Sequence, residues 1–273
     1  MKQRTKRAVG DIPGLELHWS SNVVKWIGLV CMIFGTFSTA VIQLGILGLD
    51  LNATEEMLAA ISENDKQTFW ANLAAGFTMV SYVALPIYAK LAYEGACRTS
   101  NPRLYLVRMI GLALLAEIPY DLAIYGTVTW QHQSVMVTLL MGFLMLEGMK
   151  RCPRLLPRLL VIVPFAYLAQ WMNTDYGADG IFVIALFALT RQLPCRTVWQ
   201  FFGLWCIFSP FHIMALNWLL SGFSMTVQEL AVFAVLPIAL YDGRKATKSK
   251  ALQWAFYLFY PAHLLILYLI GRL

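Results

Sequence analysis

Charge is what this chain of 273 residues has least of: Asp, Glu, Lys and Arg together make up 13% of it, against about a quarter in an ordinary soluble domain. Hydrophobic residues make up 59% and the mean hydropathy is +0.62, so the chain reads as a membrane protein. Cysteines number only five. Cys97, Cys152 and Cys195 fall at the ends of apolar runs and Cys31 and Cys206 within them, which gives neither a disulfide framework nor zinc spacing; no metal is expected, and packing is their expected role. There is no repeat of about 20–50 residues, no low-complexity linker and no Gly-rich phosphate loop. One integral membrane domain over 1–273 is the expected organisation. The first apolar segment is long and lacks a small-residue cleavage site, so it reads as a retained helix and not a signal peptide.

What is present is a series of apolar runs. A helix needs about 20 such residues to span the hydrocarbon core, and about nine runs qualify on that rule, near 22–47, 69–95, 104–126, 133–149, 158–172, 179–191, 197–221, 224–241 and 252–271. The runs at 158–172 and 179–191 are short, and a re-entrant pair is the alternative to two spans there. The fold class expected is all-α, a polytopic transmembrane helix bundle with the N-terminus cytoplasmic. The exception to short loops is 50–68, where MLAAI between charged residues predicts an amphipathic helix at the outer surface.

Orientation follows from the basic residues. Lys2, Arg4, Lys6 and Arg7, then Arg98 and Arg103, then Lys150, Arg151, Arg154 and Arg158, then Arg191 and Arg196, then Arg244, Lys245, Lys248 and Lys250 all fall on one side, leaving Lys66 and Arg272 on the other. The net charge of +6 is thus topological, and with no basic-aromatic groove it predicts no nucleic-acid partner.

Ionisable groups at membrane depth are costly and are paired or functional. Lys25, Lys90, Glu94 and Glu147 lie near inner ends, where snorkelling accounts for them. Arg108 lies in the inner third of the third run, His212 midway along the seventh and Glu229 in the outer part of the eighth. The stretch LLAEIPYDLAIYG (114–126) puts Glu117 and Asp121 four residues apart on one helical face, too deep to snorkel. Two readings stay open for them: burial against Arg108 or a neighbouring helix, with Pro119 kinking the span, or the lining of a polar cavity. His212 follows Pro210 and reads as a partner for a freed backbone carbonyl. His263 follows Pro261 between aromatic residues that include Tyr257 and Tyr260; it is either a structural imidazole or a general base toward an amine or hydroxyl.

Several stretches resemble the TraX family of multispanning membrane proteins associated with acetylation of conjugative pilin. They are VVKWIGLVCM (23–32), LPIYAKLAYEGACRTSNPRLYLVRMIGLALLAEIPYDLA (85–123), TLLMGFL (138–144), DYGADGIFVIALF (175–187) and LPIALYDGRKATKSKALQWAFYLFYPAHLLILYLI (236–270). The most specific pieces are Glu94-Gly95 followed by Thr99, Tyr105 and Arg108, the E-I-P-aromatic-D of the third run, and the F-Y-x-F-Y-P-x-H of the last. Two positions depart. Where TraX-like first helices typically carry Asp-His this chain has Gly35-Thr36, and where the second carries Gly-Arg it has Ser81-Tyr82.

The resemblance implies a bacterial inner-membrane protein whose partner is a pilin subunit or its terminus, with acetyl-CoA as acyl donor. Acyl transfer to an amine needs a base and donors for the developing oxyanion. With the first-helix histidine replaced, the catalytic candidates are His263, Glu117 and Asp121, and the substrate or oxyanion candidates are Tyr260, Arg108, Lys25 and Glu94. Residues that would bind the donor are not identified; the basic inner loops 150–158 and 244–250 would attract its phosphates. Four outcomes remain open: acetyl transfer to the pilin N-terminus, head-to-tail cyclisation of the pilin by aminolysis, a non-catalytic pilin-binding assembly factor, or a small-molecule transporter, against which the absent internal repeat and the resemblance count.

Overall fold

Helix α1 runs from Ser21 to Phe37 and continues as a π-helical stretch, Ser38–Ile46. The Thr36 and Thr39 hydroxyls donate back to the carbonyls of Met32 and Gly35 at 3.1 and 3.3 Å, a pattern that loosens the regular ladder. These observations come from a computed structural model that describes residues 19–49, 57, 60–61, 63–208, 227–241 and 250–273. Most of the amphipathic segment expected at 50–68 lies outside the described residues, as do His212, the side chain of Glu229 and the basic cluster at 244–248.

Helix α2 (Asp65–Ser81) begins at Asn64, whose side chain accepts from the backbone N–H of Lys66 and Gln67, and Asp65 places an acid on the positive end of the helix dipole. The ladder stops at Tyr82–Val83 and resumes as α3 (Ala84–Arg98). Pro86 explains the break: it has no N–H to give the carbonyl of Tyr82. The run expected as one helix over 69–95 therefore carries a short interruption at its middle, and Asp65–Arg98 remains one candidate span.

Helix α4 (Pro102–Tyr125) starts with proline at its first position and Asn101 as cap. Then follow α5 (Val135–Lys150), α6 (Leu155–Trp171), α7 (Gly177–Leu189) and α8 (Arg196–Phe208). A 3₁₀ stretch at Val227–Ala234 leads into α9 (Val235–Leu240), and α10 (Lys250–Gly271) closes the chain. Among the described residues there is no strand, only the isolated bridges Trp19–Tyr241 and Gln133–Thr174.

The main core lies between α3, α5 and α7, where Ile87, Met145, Ile181, Ile184 and Phe187 are shut off from solvent. A second core joins α10 to α4 and the π-helical stretch through Leu264, Tyr260, Ala116, Ala123 and Ala40. Small residues set this crossing: a Cβ on Gly271 would sit 2.2 Å from the Ala40 carbonyl oxygen, so only glycine lets the helices approach this closely.

Apolar side chains also cover the outside. Val107, Leu114 and Ile118 on α4 and Leu155, Leu160, Val163 and Tyr167 on α6 are exposed, which water would penalise and lipid does not. Ser21–Ile46, Asp65–Arg98 and Trp254–Gly271 are each long and apolar enough to cross a membrane. The chain is an all-α membrane-protein bundle, as its composition predicts.

The basic residues collect at one end of the bundle. At that end Tyr241 donates to Glu94 at 2.7 Å, Lys150 donates to the Ala96 carbonyl at 2.8 Å, and Arg191 lies 3.9 Å from the Cys97 sulfur; Arg98, Arg103, Arg151, Arg154, Arg158 and Arg196 begin or end helices there. At the opposite end Arg272 donates to the Gly126 carbonyl at 3.2 Å, and the 126–134 connection meets the 173–176 turn through the Gln133–Thr174 bridge. Helices α6 and α7 each run between these two ends, antiparallel to one another.

Candidate functional site

Between α1, α2, α3, α4, α5 and α10 the bundle encloses a cavity of about 320 Å³. Among the described residues five tyrosines line it, Tyr88, Tyr120, Tyr125, Tyr176 and Tyr260, together with Phe256 and Phe259, the hydroxyl residues Thr36, Thr39, Thr78 and Ser81, and one carboxylate, Asp175. It runs from the middle of the bundle toward the end that carries the 126–134 connection.

Gly35 and Thr36, which stand where the family resemblance leads one to expect Asp-His, are both in this wall, as is Ser81. They are also neighbours: a Cβ on Gly35 would meet the Ser81 Cβ at 2.5 Å and its Oγ at 2.8 Å. The two departures from the family pattern thus meet at one contact, where Ser81 fills the space that a side chain at 35 would need.

Asp175 sits in the turn after α6. The turn is built by two residues with left-handed backbone, Asn173 (φ 50°) and Tyr176 (φ 64°), a conformation that costs non-glycine residues about 1–3 kcal/mol and persists only where surroundings enforce it. Three bonds do so: Gln133 N–H to the Asn173 carbonyl (3.1 Å), Asp175 N–H to the Gln133 carbonyl (2.8 Å), and the Thr138 hydroxyl to the Asp175 carbonyl (2.5 Å). The left-handed turn at Tyr176 lets two consecutive side chains, Asp175 and Tyr176, face the same cavity. Burial pushes the Asp175 carboxyl up to about 7, partly offset by the Tyr176 backbone N–H that it accepts. Tyr120, Tyr125, Tyr176 and Tyr260 all lie within electrostatic reach of it.

Of the residues singled out by sequence, Tyr260 is the one in the cavity wall; it is buried, at 5% exposure. His263, one turn on, is also 5% exposed. Its ring lies parallel to Phe259 at 5.1 Å and 5.6 Å from the ring of Tyr260. His263 Nδ1 stands 3.0 Å from the Phe259 carbonyl oxygen. A carbonyl only accepts, so Nδ1 carries the proton and Nε2 keeps a lone pair; that Nε2 is buried with no partner among the described residues.

Glu117 and Asp121 are buried, at 8% and 1% exposure, and do not line this cavity. Both Glu117 oxygens accept from the Ser134 N–H at 3.3 Å, at the start of α5, and Asp121 Oδ2 accepts from the Thr129 N–H at 2.9 Å. The two carboxylates hold the 126–134 connection at the cavity's rim. Asp121 Oδ1 and the Ser134 hydroxyl have no partner among the described residues, so this rim keeps unused polar capacity. Arg108 is exposed and stands about 13 Å along α4 from Glu117, so the two do not pair.

Lys25 lies over the ring of Phe256 at 5.2 Å, behind the cavity wall. Glu94 is at the basic end, bonded to Arg98 (2.8 Å), Lys90 (3.6 Å) and Tyr241 (2.7 Å). It ties α3 to the residue that follows α9.

Sequence reasoning passed over Asp175, Tyr88, Tyr120, Tyr125 and Tyr176 as site residues. The signal for Asp175-Tyr176 was present in DYGADG, an acid and a tyrosine before a glycine between two apolar runs. His132 was also passed over; it stacks on Tyr125 at 5.1 Å and lies within electrostatic reach of Asp121. Among the described residues no group of three or more His, Cys, Asp or Glu side chains is placed to hold a metal ion.

The family model described as "TraX protein" matches residues 20–271, nearly the whole chain. No curated protein and no solved structure matches it.

Proposed function

The chain belongs to the TraX family, which implies a part in conjugative pilus or pilin processing, and on that premise we propose that it is a multi-pass inner-membrane enzyme that acetylates the pilin N-terminus. In this reading the basic end faces the cytoplasm. The observation that carries it is the juxtaposition of a tyrosine-lined cavity with the His263 imidazole beside Tyr260, whose Nδ1 is committed to Phe259 and whose Nε2 has no partner among the described residues.

The chemistry joins an amine to an acyl carbon as the carbon–sulfur bond of a thioester breaks and the thiol leaves. Acetyl-CoA, the donor implied by the family, supplies an acetyl group activated as a thioester. The cavity takes a peptide terminus or the acyl end of a donor, not a whole coenzyme, and among the described residues its wall holds no cation for phosphates; the basic loops 150–158 and 244–250 would attract them. His263 Nε2 accepts the proton that the amine gives up, as a neutral imidazole does when its other nitrogen is pinned. The Tyr260 hydroxyl donates to the oxygen on which charge develops. Glu117 and Asp121 hold the rim, and Lys25, through Phe256, backs the wall.

One observation favours a second reading. Along α5 the cavity residues Val135, Met136 and Leu139 are about 20 Å from Lys150, so the reaction space lies at the end away from the basic loops. Cyclisation, in which the pilin's own amine attacks an acyl group of its C-terminal region, needs no donor from the basic side. The test for both is the intact mass of the pilin from cells with and without this gene: a gain of one acetyl group supports acetylation, loss of one water supports cyclisation, and equal masses remove the enzymatic reading in favour of a pilin-binding assembly factor.

A further inference from the structure

The cavity wall carries an acidic group and, among the described residues, no basic one to balance it. Among the described residues Asp175 is its one carboxylate, and no Lys, Arg or His lines it. Lys25, which is not a lining residue, places its ammonium on the ring of Phe256, which is one. A carboxylate in so apolar a place is costly to ionise unless a positive partner arrives. Tyr88, Tyr120, Tyr125, Tyr176 and Tyr260 surround the same space, and aromatic faces attract cations most when water is excluded. The strained turn at Tyr176 and the three bonds that brace it keep the carboxylate in this wall.

We propose that the cavity is a binding site for an ammonium group, with Asp175 as its counter-ion and the tyrosine rings as its aromatic wall. That the ammonium is the acceptor's terminal amine rests on the pilin-processing reading; that an ammonium binds here does not. Asp175 holds the amine in its charged form beside Tyr260, and the amine becomes a nucleophile when its proton passes to a base.

The test uses the full chain in lipid nanodiscs with n-butylammonium chloride as probe and n-butanol as its neutral counterpart, read by the shift in melting temperature against probe concentration. The wild type is expected to show a saturable upward shift with butylammonium and none with butanol, and Asp175→Asn to weaken the apparent affinity at least about tenfold, with Asp175→Glu partly restoring it. Equal shifts with the two probes, or an Asp175→Asn protein that binds butylammonium as the wild type does, overturn the proposal. If Asp175→Asn does not accumulate, the wild-type comparison of the two probes decides alone. Saturable ammonium binding in a protein that leaves pilin mass unchanged keeps the site and removes the modification reading, whereas pilin modified normally by Asp175→Asn removes the site's role and keeps that reading.

Discussion

His263 and Phe259 are joined twice, by the bond from Nδ1 to the Phe259 carbonyl at 3.0 Å and by parallel rings 5.1 Å apart. The pairing fixes both the tautomer and the plane of the imidazole, and so fixes the direction in which the Nε2 lone pair points.

If that lone pair is the base, His263→Gln abolishes pilin modification while the protein stays in the membrane, because the glutamine amide still donates to the Phe259 carbonyl but offers no basic nitrogen. Immunoblotting of membranes alongside pilin mass checks both halves. Normal modification by this variant would remove His263 from the chemistry.

Glu117 and Asp121 each serve a backbone N–H of the 126–134 connection. Glu117→Ala and Asp121→Ala are expected to cost about 1–3 kcal/mol each through an unsatisfied buried amide, seen as a lower melting temperature. Glu117→Gln and Asp121→Asn keep an acceptor oxygen and are expected to melt near the wild type. Isosteric amides that melt normally but leave pilin unmodified would show that the charge itself takes part in the reaction.

The Gly35–Ser81 contact predicts a coupled pair. Gly35→Ala puts a Cβ against Ser81 and is expected to destabilise by about 1–3 kcal/mol, with Ser81→Gly restoring most of the loss in the double variant. A double-mutant cycle with additive effects would show that the helices adjust independently.

Asp175 gives a pH signature. Its carboxyl is raised to about 7 in the fold, so the folded state holds a proton that the unfolded chain releases near 4. The stabilisation is present below that lower value and is lost as pH rises through about 7. Among the described residues Tyr120, Tyr125, Tyr176 and Tyr260 are the other titratable groups within its reach. Melting temperature is expected to fall from pH 4 to 7 more steeply in the wild type than in Asp175→Asn, and butylammonium binding to strengthen over the same interval as the carboxylate forms. Parallel curves for the two proteins would contradict the assignment.

The helices were legible because apolar runs of membrane length leave few alternatives, and the basic residues declared which helix ends lie together. The break at Tyr82–Val83 was also written in the chain, in Pro86, but the long apolar run hid it. The site was less legible. Glu117 and Asp121 drew attention because charge is conspicuous in an apolar helix, yet the structure gives them to backbone amides of a loop whose path spacing does not reveal. The cavity is built instead from tyrosines scattered over α3, α4 and α10 and from a turn, so its members share no periodicity. Asp175 lies between two helices and carries no amphipathic signal. Only the packing of those helices makes it the charge of the cavity.

The most direct measurement of the central claim is the intact mass of the pilin from cells that carry the wild-type gene, the His263→Gln gene or no copy. The account predicts a pilin heavier by one acetyl group with the wild type and unmodified pilin in the other two. The same pilin mass in all three would contradict it.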